Sequence, residues 1–510
     1  MDILLGVDLG TSGVKVLALE STGKILATHS ESYPIFNPKA GWSEQDPGDW
    51  WQGTLAAIKG VLQHDNVDEH SVRALSVSGQ MHGSVFLDSD GDVIRPPLLW
   101  NDTRTFPQCA TITEKIGEEK LIGLAGNPAL EGFTAPKVLW LKENEPENYE
   151  KLSTLMLPKD YILYKMTGRL CTEVSDAAGT LLFDVKNRQW SEDIMTMLDL
   201  NSDILPEVLE SIDVVGSLTD AASSMTGLPA DVKVVAGGAD NACSAVGNGI
   251  VSEGLVMASL GSSGTVVAQT DSMQSDPQGR IHSFNHAVPQ RWYLMGVMLS
   301  AAASIKWFRE HFAEAEAIVA ESIGSSPEDL LDKQSIQVDP GSEGLLFLPY
   351  LSGERTPHRN AKARGVFFGM SPIHGKKHFV RSILEGVAFG MRDSLELVKD
   401  LGVTPIQIRL TGGGSKSPVW RPIMADVFNQ AVVTTNIEEG PAIGAAILAG
   451  VGVGTYSSVE EAAKEIVEVR DSVEPNRENV EIYEGIYPLY KNLYSSLKPN
   501  YDEVFSYFNK

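Results

Sequence analysis

Asp8-Leu9-Gly10-Thr11-Ser12-Gly13 and Ser259-Leu260-Gly261-Ser262-Ser263-Gly264 are two copies of one pattern. An apolar run leads into each copy (Ile3 to Val7; Leu255 to Ala258), and another leads out (Val14 to Leu19; Thr265 to Ala268). Each therefore reads as a strand, a tight turn and a returning strand. A turn bounded by glycines lets backbone N–H groups come close to an anion, and the hydroxyls between them add donors. Gly10 and Gly261 stand 251 residues apart, about half the chain, so the pattern predicts a duplicated architecture whose two turns grip one polyphosphate from both sides. The copies differ where Asp8 faces Ser259. A carboxylate beside a phosphate repels it unless a cation lies between them, so Asp8 implies Mg²⁺.

The chain has 510 residues, too many for one core, and the pattern restarts near 245–255. This predicts two domains, residues 1–248 and 249–510. A net charge of −26 argues against nucleic acid or an anionic membrane as partner, though not against ATP, which loop amides and Mg²⁺ hold locally. The three cysteines, Cys109, Cys171 and Cys243, fit no ligand spacing and no disulfide framework. The N-terminal apolar run stops at Asp8, and no apolar stretch approaches the length of a membrane helix, so the expected location is cytoplasmic.

The local signals give an α/β chain. Residues 3–8, 14–19 and 24–30 read as a strand meander. Asp46-Pro47-Gly48-Asp49 caps and opens a helix that runs to about Leu62. Val72 to Ser78 is a buried-type strand, and Asp88-Ser89-Asp90-Gly91 turns a short hairpin. Residues 103–230 lean helical. A strand over 232–237 ends in Gly237-Gly238, and Asp240 opens a small-residue helix to Gly247. A strand over 406–411 meets Gly412-Gly413-Gly414 and a helix from about Pro418 to Asn429. An Ala-rich helix runs from Gly440-Pro441-Ala442 to about Gly450, and an acidic, helical tail follows.

Four groups of residues can carry chemistry. The twin hairpins come first; a lone Gly-x-x-Gly turn is an ordinary hairpin, and the repetition gives it weight. Asp240, after a strand and a Gly-Gly turn, sits where ligands of α/β sheets gather. It is either a helix cap or a general base, and a cap's backbone bonds would lower its basicity. Gly412, Gly413 and Gly414 leave backbone bare for a flat ring or ribose, or serve a tight strand–helix turn. Gln80, Met81 and His82, with Trp100, Asn101, Asp102 and Arg104, have the composition of a sugar site. His282 and His286 have helical ligand spacing, but Val288-Pro289 and a poor helix-forming segment argue against a metal pair.

Two further segments carry a resemblance. Gly132-Phe133-Thr134-Ala135-Pro136-Lys137-Val138-Leu139-Trp140-Leu141-Lys142-Glu143-Asn144, and Gly365-Val366-Phe367-Phe368-Gly369-Met370 continuing through His378-Phe379 and Ser382 to Glu385, resemble the two diagnostic segments of the FGGY carbohydrate kinases. That resemblance implies a duplicated actin-like (ribonuclease H-like) ATPase fold with a ligand cleft between two domains, a sugar-binding N-terminal one and a nucleotide-binding C-terminal one. Trp42 to Pro47, Gly79 to Gly83, Leu99 to Asp102, Leu157 to Tyr161 and Leu351 to Pro357 resemble the branch of the family that phosphorylates the ketose D-xylulose. The same chemistry on another ketose or a polyol, such as ribulose, is the alternative.

The resemblance also implies site roles. Asp240 is the base for the sugar's terminal hydroxyl, and Asp8 positions Mg²⁺. Met81 and His82 contact the ketose, with Trp100, Asp102, Arg104 and Asn241 around it. Gly10, Thr11, Ser12 and Gly13, with Gly261, Ser262, Ser263 and Gly264, hold the ATP phosphates. Lys15 stands where some relatives place a basic phosphate contact, and Gly412, Gly413 and Gly414 border the adenosine. A homodimer is usual among similar kinases. A non-enzymatic nucleotide switch on the same fold would lack the Gln80-Met81-His82 segment.

Overall fold

The computed structural model describes residues 2–508 and divides into two compact units. The first comprises Met1–Ser252, Gln269–Tyr293 and Glu439–Glu468; the second comprises Glu253–Ala268, Leu294–Glu438 and Val469–Lys510. By contact, Glu439–Glu468 therefore belongs with the first unit although the chain reaches it from the second.

The first unit is built on β1 (Ile3–Leu9), β2 (Gly13–Glu20), β3 (Ile25–Ser32), β4 (Val72–Gly79), β5 (Val214–Ser217) and β6 (Lys233–Ala239), in the order β5-β6-β4-β1-β2-β3. β1, β2 and β3 form the antiparallel meander, whereas β4 pairs parallel to β1, and β6 parallel to β4. Both faces of β1 are covered, so it reads as a continuous apolar run rather than an alternating one. Helix Pro47–Leu62 lies against β2 and β3 and adds Trp50, Leu55, Ile58 and Val61 to the core. The Asp46 side chain accepts from the Gly48 N–H at its start, as the local sequence predicts. Helices Asp240–Gly247 and Gly440–Gly452 pack on each other and on β1, β4 and β6.

The second unit repeats the plan. β7 (Leu255–Leu260), β8 (Gly264–Thr270), β9 (Trp292–Met298), β10 (Gln407–Thr411), β11 (Val432–Thr435) and β12 (Val469–Val473) run in the order β9-β8-β7-β10-β11-β12. β7 and β8 form the second hairpin, β10 is parallel to β7, β11 is parallel to β10, and β12 closes antiparallel. The antiparallel meander and the parallel fourth strand recur, but the outer pair differs. In the first unit the later strand, β6, lies beside β4 and the earlier β5 takes the edge, whereas here β11 lies inside and the later β12 takes the edge, and His282–Asn285 adds a seventh strand beside β9. The duplication signalled by two hexapeptides thus extends in chain order over four strands of each copy, and in strand direction alone over the outer pair.

Several strands lie outside the sequence reading. β12 falls in the tail read as helical; four of its five residues are exposed, so it carries no apolar alternation to reveal it. β5 and β11 have four residues each, too short for a period to register. His282–Asn285 is itself a strand, not a helix.

Candidate active site

β1, β4 and β6 are parallel neighbours, so their carboxyl ends share one edge. Asp8 pairs in register with Ser78, and Ser78 with Gly238. Ser78 Oγ donates to Asp8 Oδ1 at 3.2 Å. Asp240 follows one residue beyond β6. The register of β6 shifts between Val235 and Gly238, and within that bulge Gly237 has φ +72°. A Cβ there would lie 2.0 Å from the Val77 carbonyl oxygen, so glycine is required. The bulge turns the chain off the sheet and places Asp240 at its edge.

Asp240 does not cap its helix. It occupies the first helical position, and the preceding Ala239 makes no side-chain cap. Its Oδ1 instead accepts from the Asn241 N–H at 2.7 Å and from Asn241 Nδ2 at 2.8 Å. Burial pushes its pKa up to about 7, the Asp8 charge adds to the rise, and the two Asn241 donors oppose it. Asp8 is pushed up to about 6, again by burial, with Ser78 and Lys15 opposing and Glu439 adding. A carboxylate raised toward neutral pH by burial at a strand's carboxyl edge is the kind of group that serves proton transfer near pH 7.

Beneath this edge lies a buried polar layer that the local sequence did not disclose. Ser175 Oγ accepts from the Ala239 N–H at 3.0 Å and donates to Glu173 Oε1 at 2.8 Å. Lys159, itself fully buried, pairs with Asp160 at 2.5 Å and lies 3.6 Å from Glu173. A buried charge is tolerable only when paired, so these residues depend on one another.

The hairpin 10–13 presents its amides outward. Thr11 O accepts from Gln45 Nε2 at 2.7 Å, Ser12 O accepts from the Tyr33 N–H at 3.3 Å, and Gly10 O accepts from the Tyr33 hydroxyl. Each trans peptide holds its N–H opposite its carbonyl, so the N–H groups of Thr11, Ser12 and Gly13 point away from these partners. In the second unit the same device recurs. Gly261 O accepts from the Ala302 N–H at 2.9 Å, and Ser262 O accepts from those of Ala301 and Ala303. The N–H groups of Ser262 and Ser263, both exposed residues, therefore face outward. Gly412, at φ +79°, lies beside that hairpin; a Cβ there would come within 2.8 Å of the Leu260 carbonyl carbon. Gly413 is exposed, and Gly414 is buried against Trp420.

The residues read as a sugar site separate into two sets. Met81 and His82 lie with Asn241, whose Nδ2 donates to Met81 Sδ at 3.7 Å. His82 adopts φ +70°, a backbone conformation that costs a non-glycine residue of order 1–3 kcal/mol. Its Nδ1 lies 2.6 Å from Gly179 O, and its ring packs 4.5 Å from that of Phe133. Phe284 lies 6.3 Å from His82 and 6.2 Å from Phe133, completing an aromatic wall. Trp100 Nε1 donates to Thr11 Oγ1 at 2.9 Å, tying the sugar segment to the first hairpin.

Asp102 and Arg104 form the other set. Asp102 accepts from the Ser43 N–H at 2.7 Å and from Arg104 Nη2 at 2.6 Å, and Arg104 also pairs with Glu44 at 2.7 Å and lies 3.5 Å over Trp42. Both side chains are almost wholly buried. Their donors and acceptors serve this ion-pair network. Lys15 pairs with Glu439 at 2.6 Å.

Two sheets that share an antiparallel meander and a parallel fourth strand, each opening on a hairpin with outward amides, define the class of duplicated, actin-like nucleotide-handling α/β proteins. The comparisons narrow it. Residues 3–247 match the N-terminal domain, and residues 256–453 the C-terminal domain, of the FGGY family of carbohydrate kinases. The xylulose kinase of Bacillus subtilis is 43% identical over 98% of each chain. That of Escherichia coli is 40% identical over 97% of this chain and 99% of its own. A crystal structure of the Brucella ovis enzyme of the same type superposes with a TM-score of 0.89 at 33% identity, covering 98% of this chain and 99% of that one. The chain belongs to the FGGY family of carbohydrate kinases. It is a carbohydrate kinase, and the family implies ATP as phosphate donor.

Proposed function

We propose that the protein transfers the γ-phosphoryl group of ATP to the 5-hydroxyl of D-xylulose, with Asp240 as general base. The observation that carries this reading is a carboxylate with a pKa near 7, one residue past a central strand and beside Met81, Asn241 and Asp8. The relatives named above support the choice of sugar. The sugar oxygen attacks phosphorus, its proton passes to Asp240, the bond between phosphorus and the β,γ-bridging oxygen breaks, and ADP leaves. Asp240 need act only as the new bond forms, because the ground-state hydroxyl is far too weak an acid to ionise at neutral pH.

Asp8 is the metal residue of this reading. A hard carboxylate, raised in pKa by burial, is a donor that suits Mg²⁺, which takes one or two carboxylates and completes its shell with water and phosphate oxygens. Asp8 would hold the ion, whose charge would offset that of the ATP phosphates. Replacement Asp8→Ala is expected to raise the Mg²⁺ concentration needed for half-maximal turnover; an unchanged Mg²⁺ titration would remove Asp8 from this role.

The outward amides of 10–13 and 261–264 support their assignment to the phosphates, and the exposed Gly412-Gly413 backbone supports a place beside the adenosine. In this reading residues 1–248 hold the sugar and residues 249–510 the nucleotide. Asp102 and Arg104 enter it as the frame behind Trp100, and Lys15 as an ion pair rather than a phosphate ligand. The protein is further proposed to act as a cytoplasmic homodimer. Sedimentation tests the assembly; for the location, no helix among the described residues is long and apolar enough to cross a membrane.

A coupled ADP-release assay over D-xylulose, D-ribulose and alditols tests the whole reading. D-Xylulose is expected to give the highest kcat/KM and a phosphosugar product, whereas ADP release without phosphosugar would sink it. His82→Ala is expected to raise KM for the ketose at least fivefold while KM for ATP moves less than twofold. The reverse ranking would move the ketose elsewhere.

A further inference from the structure

Lys137 is wholly buried, and among the described residues its ammonium is held by backbone carbonyls, with no ion pair to a carboxylate. Its Nζ donates to His82 O at 2.8 Å and to Gly132 O at 2.7 Å. Burial pushes its pKa down to about 7, with Arg104 adding to the fall and Asp102 opposing it. Amine and ammonium alike can supply the two protons these carbonyls need. Thr134 Oγ1 donates to the same His82 carbonyl at 3.1 Å. The two residues so anchored are the ones that build the aromatic wall: His82 itself, held in the left-handed region, and Phe133, bonded directly to Gly132 in the chain. A residue in that region persists only where its surroundings over-determine it.

We propose that Lys137 is the positioning residue of the ketose site, holding His82 and Phe133 in the one arrangement that accepts the sugar. The inference rests on the function proposed above. It explains why so costly a group is buried there: a long, flexible donor reaches two carbonyls from different segments at once, which a hydrophobic residue of equal volume could not do.

The test is Lys137→Met, which keeps the volume and removes both donors, studied with Thr134→Val, which removes only the second donor to His82. For Lys137→Met, KM for D-xylulose is expected to rise at least tenfold, with KM for ATP within twofold of wild type. Thr134→Val is expected to move the same constant in the same direction by less, and it decides the matter if Lys137→Met does not fold. In parallel, ¹³C-histidine NMR of the sugar-free protein is expected to show the His82 imidazole signal displaced or broadened in either variant. That readout needs no turnover, so it judges the positioning role even if wild type phosphorylates no ketose and the proposed function fails. An unmoved His82 signal with an unmoved ketose KM would overturn the inference. So would an equal rise in KM for both substrates, which reports general loosening.

Discussion

Asp240→Asn is expected to lower kcat by at least ~10²-fold, the low end for removing a general base, while ATP still binds. The amide has nearly the shape of the carboxylate, and its oxygen can keep both Asn241 bonds, at 2.7 and 2.8 Å in the native protein. What it cannot do is take a proton. The loss should therefore appear in kcat for phosphosugar formation and in kcat/KM alike, as for an interaction made only in the transition state. Wild-type activity is expected to rise with pH toward about 7 as Asp240 ionises, and the residual activity of Asp240→Asn is expected to lose that limb. Near-normal turnover in the variant, or an unchanged rising limb, would remove Asp240 from the chemistry.

The second large effect concerns stability and has the opposite sign. In protein free of nucleotide and divalent cation, Asp240→Asn is expected to be more stable than wild type at pH 8 and indistinguishable from it near pH 4. The native carboxyl has a pKa of about 7 against an ordinary 3.8, so between those values the folded state binds the proton that the unfolded state has released. Native stability is then fully present below pH 4 and is lost as pH rises through 7. Holding the ionised group would cost about 4 kcal/mol if water were excluded completely. Asp240 keeps an edge open to solvent, so a gain of about 1–3 kcal/mol for the amide at pH 8 is the sounder figure. Chemical denaturation at pH 4, 6 and 8 measures it, and a variant no more stable than wild type at pH 8 would show that the site does not strain its carboxylate. Such a cost is the usual companion of an acid–base group tuned for neutral pH.

Much of the candidate site was legible because its elements are local. Two hexapeptides with the same spacing of glycines announced the two hairpins. Gly237-Gly238 before Asp240 announced a break in a strand, and the bulge with its φ of +72° is that break. Asp240's own role was ambiguous locally, since an aspartate at a helix start is usually a cap. Its place one position inside the helix, with Asn241 as partner, takes it out of the cap position, and that depends on where β6 lets go of β4.

What the chain determined alone was whatever a short run of residues can encode: strands with covered faces, caps, tight turns, and the repetition that makes two units of one plan. Tertiary structure decided which charged groups face one another. Lys15 meets Glu439 across 424 residues of sequence, Arg104 sinks between Asp102, Glu44 and Trp42, and Lys137 reaches His82 across 55. A side chain's charge or donor set is written in its identity, but its partner is chosen by proximity after folding. Burial then multiplies the worth of that choice, because in a water-poor interior an unpaired polar group is far more costly than a paired one.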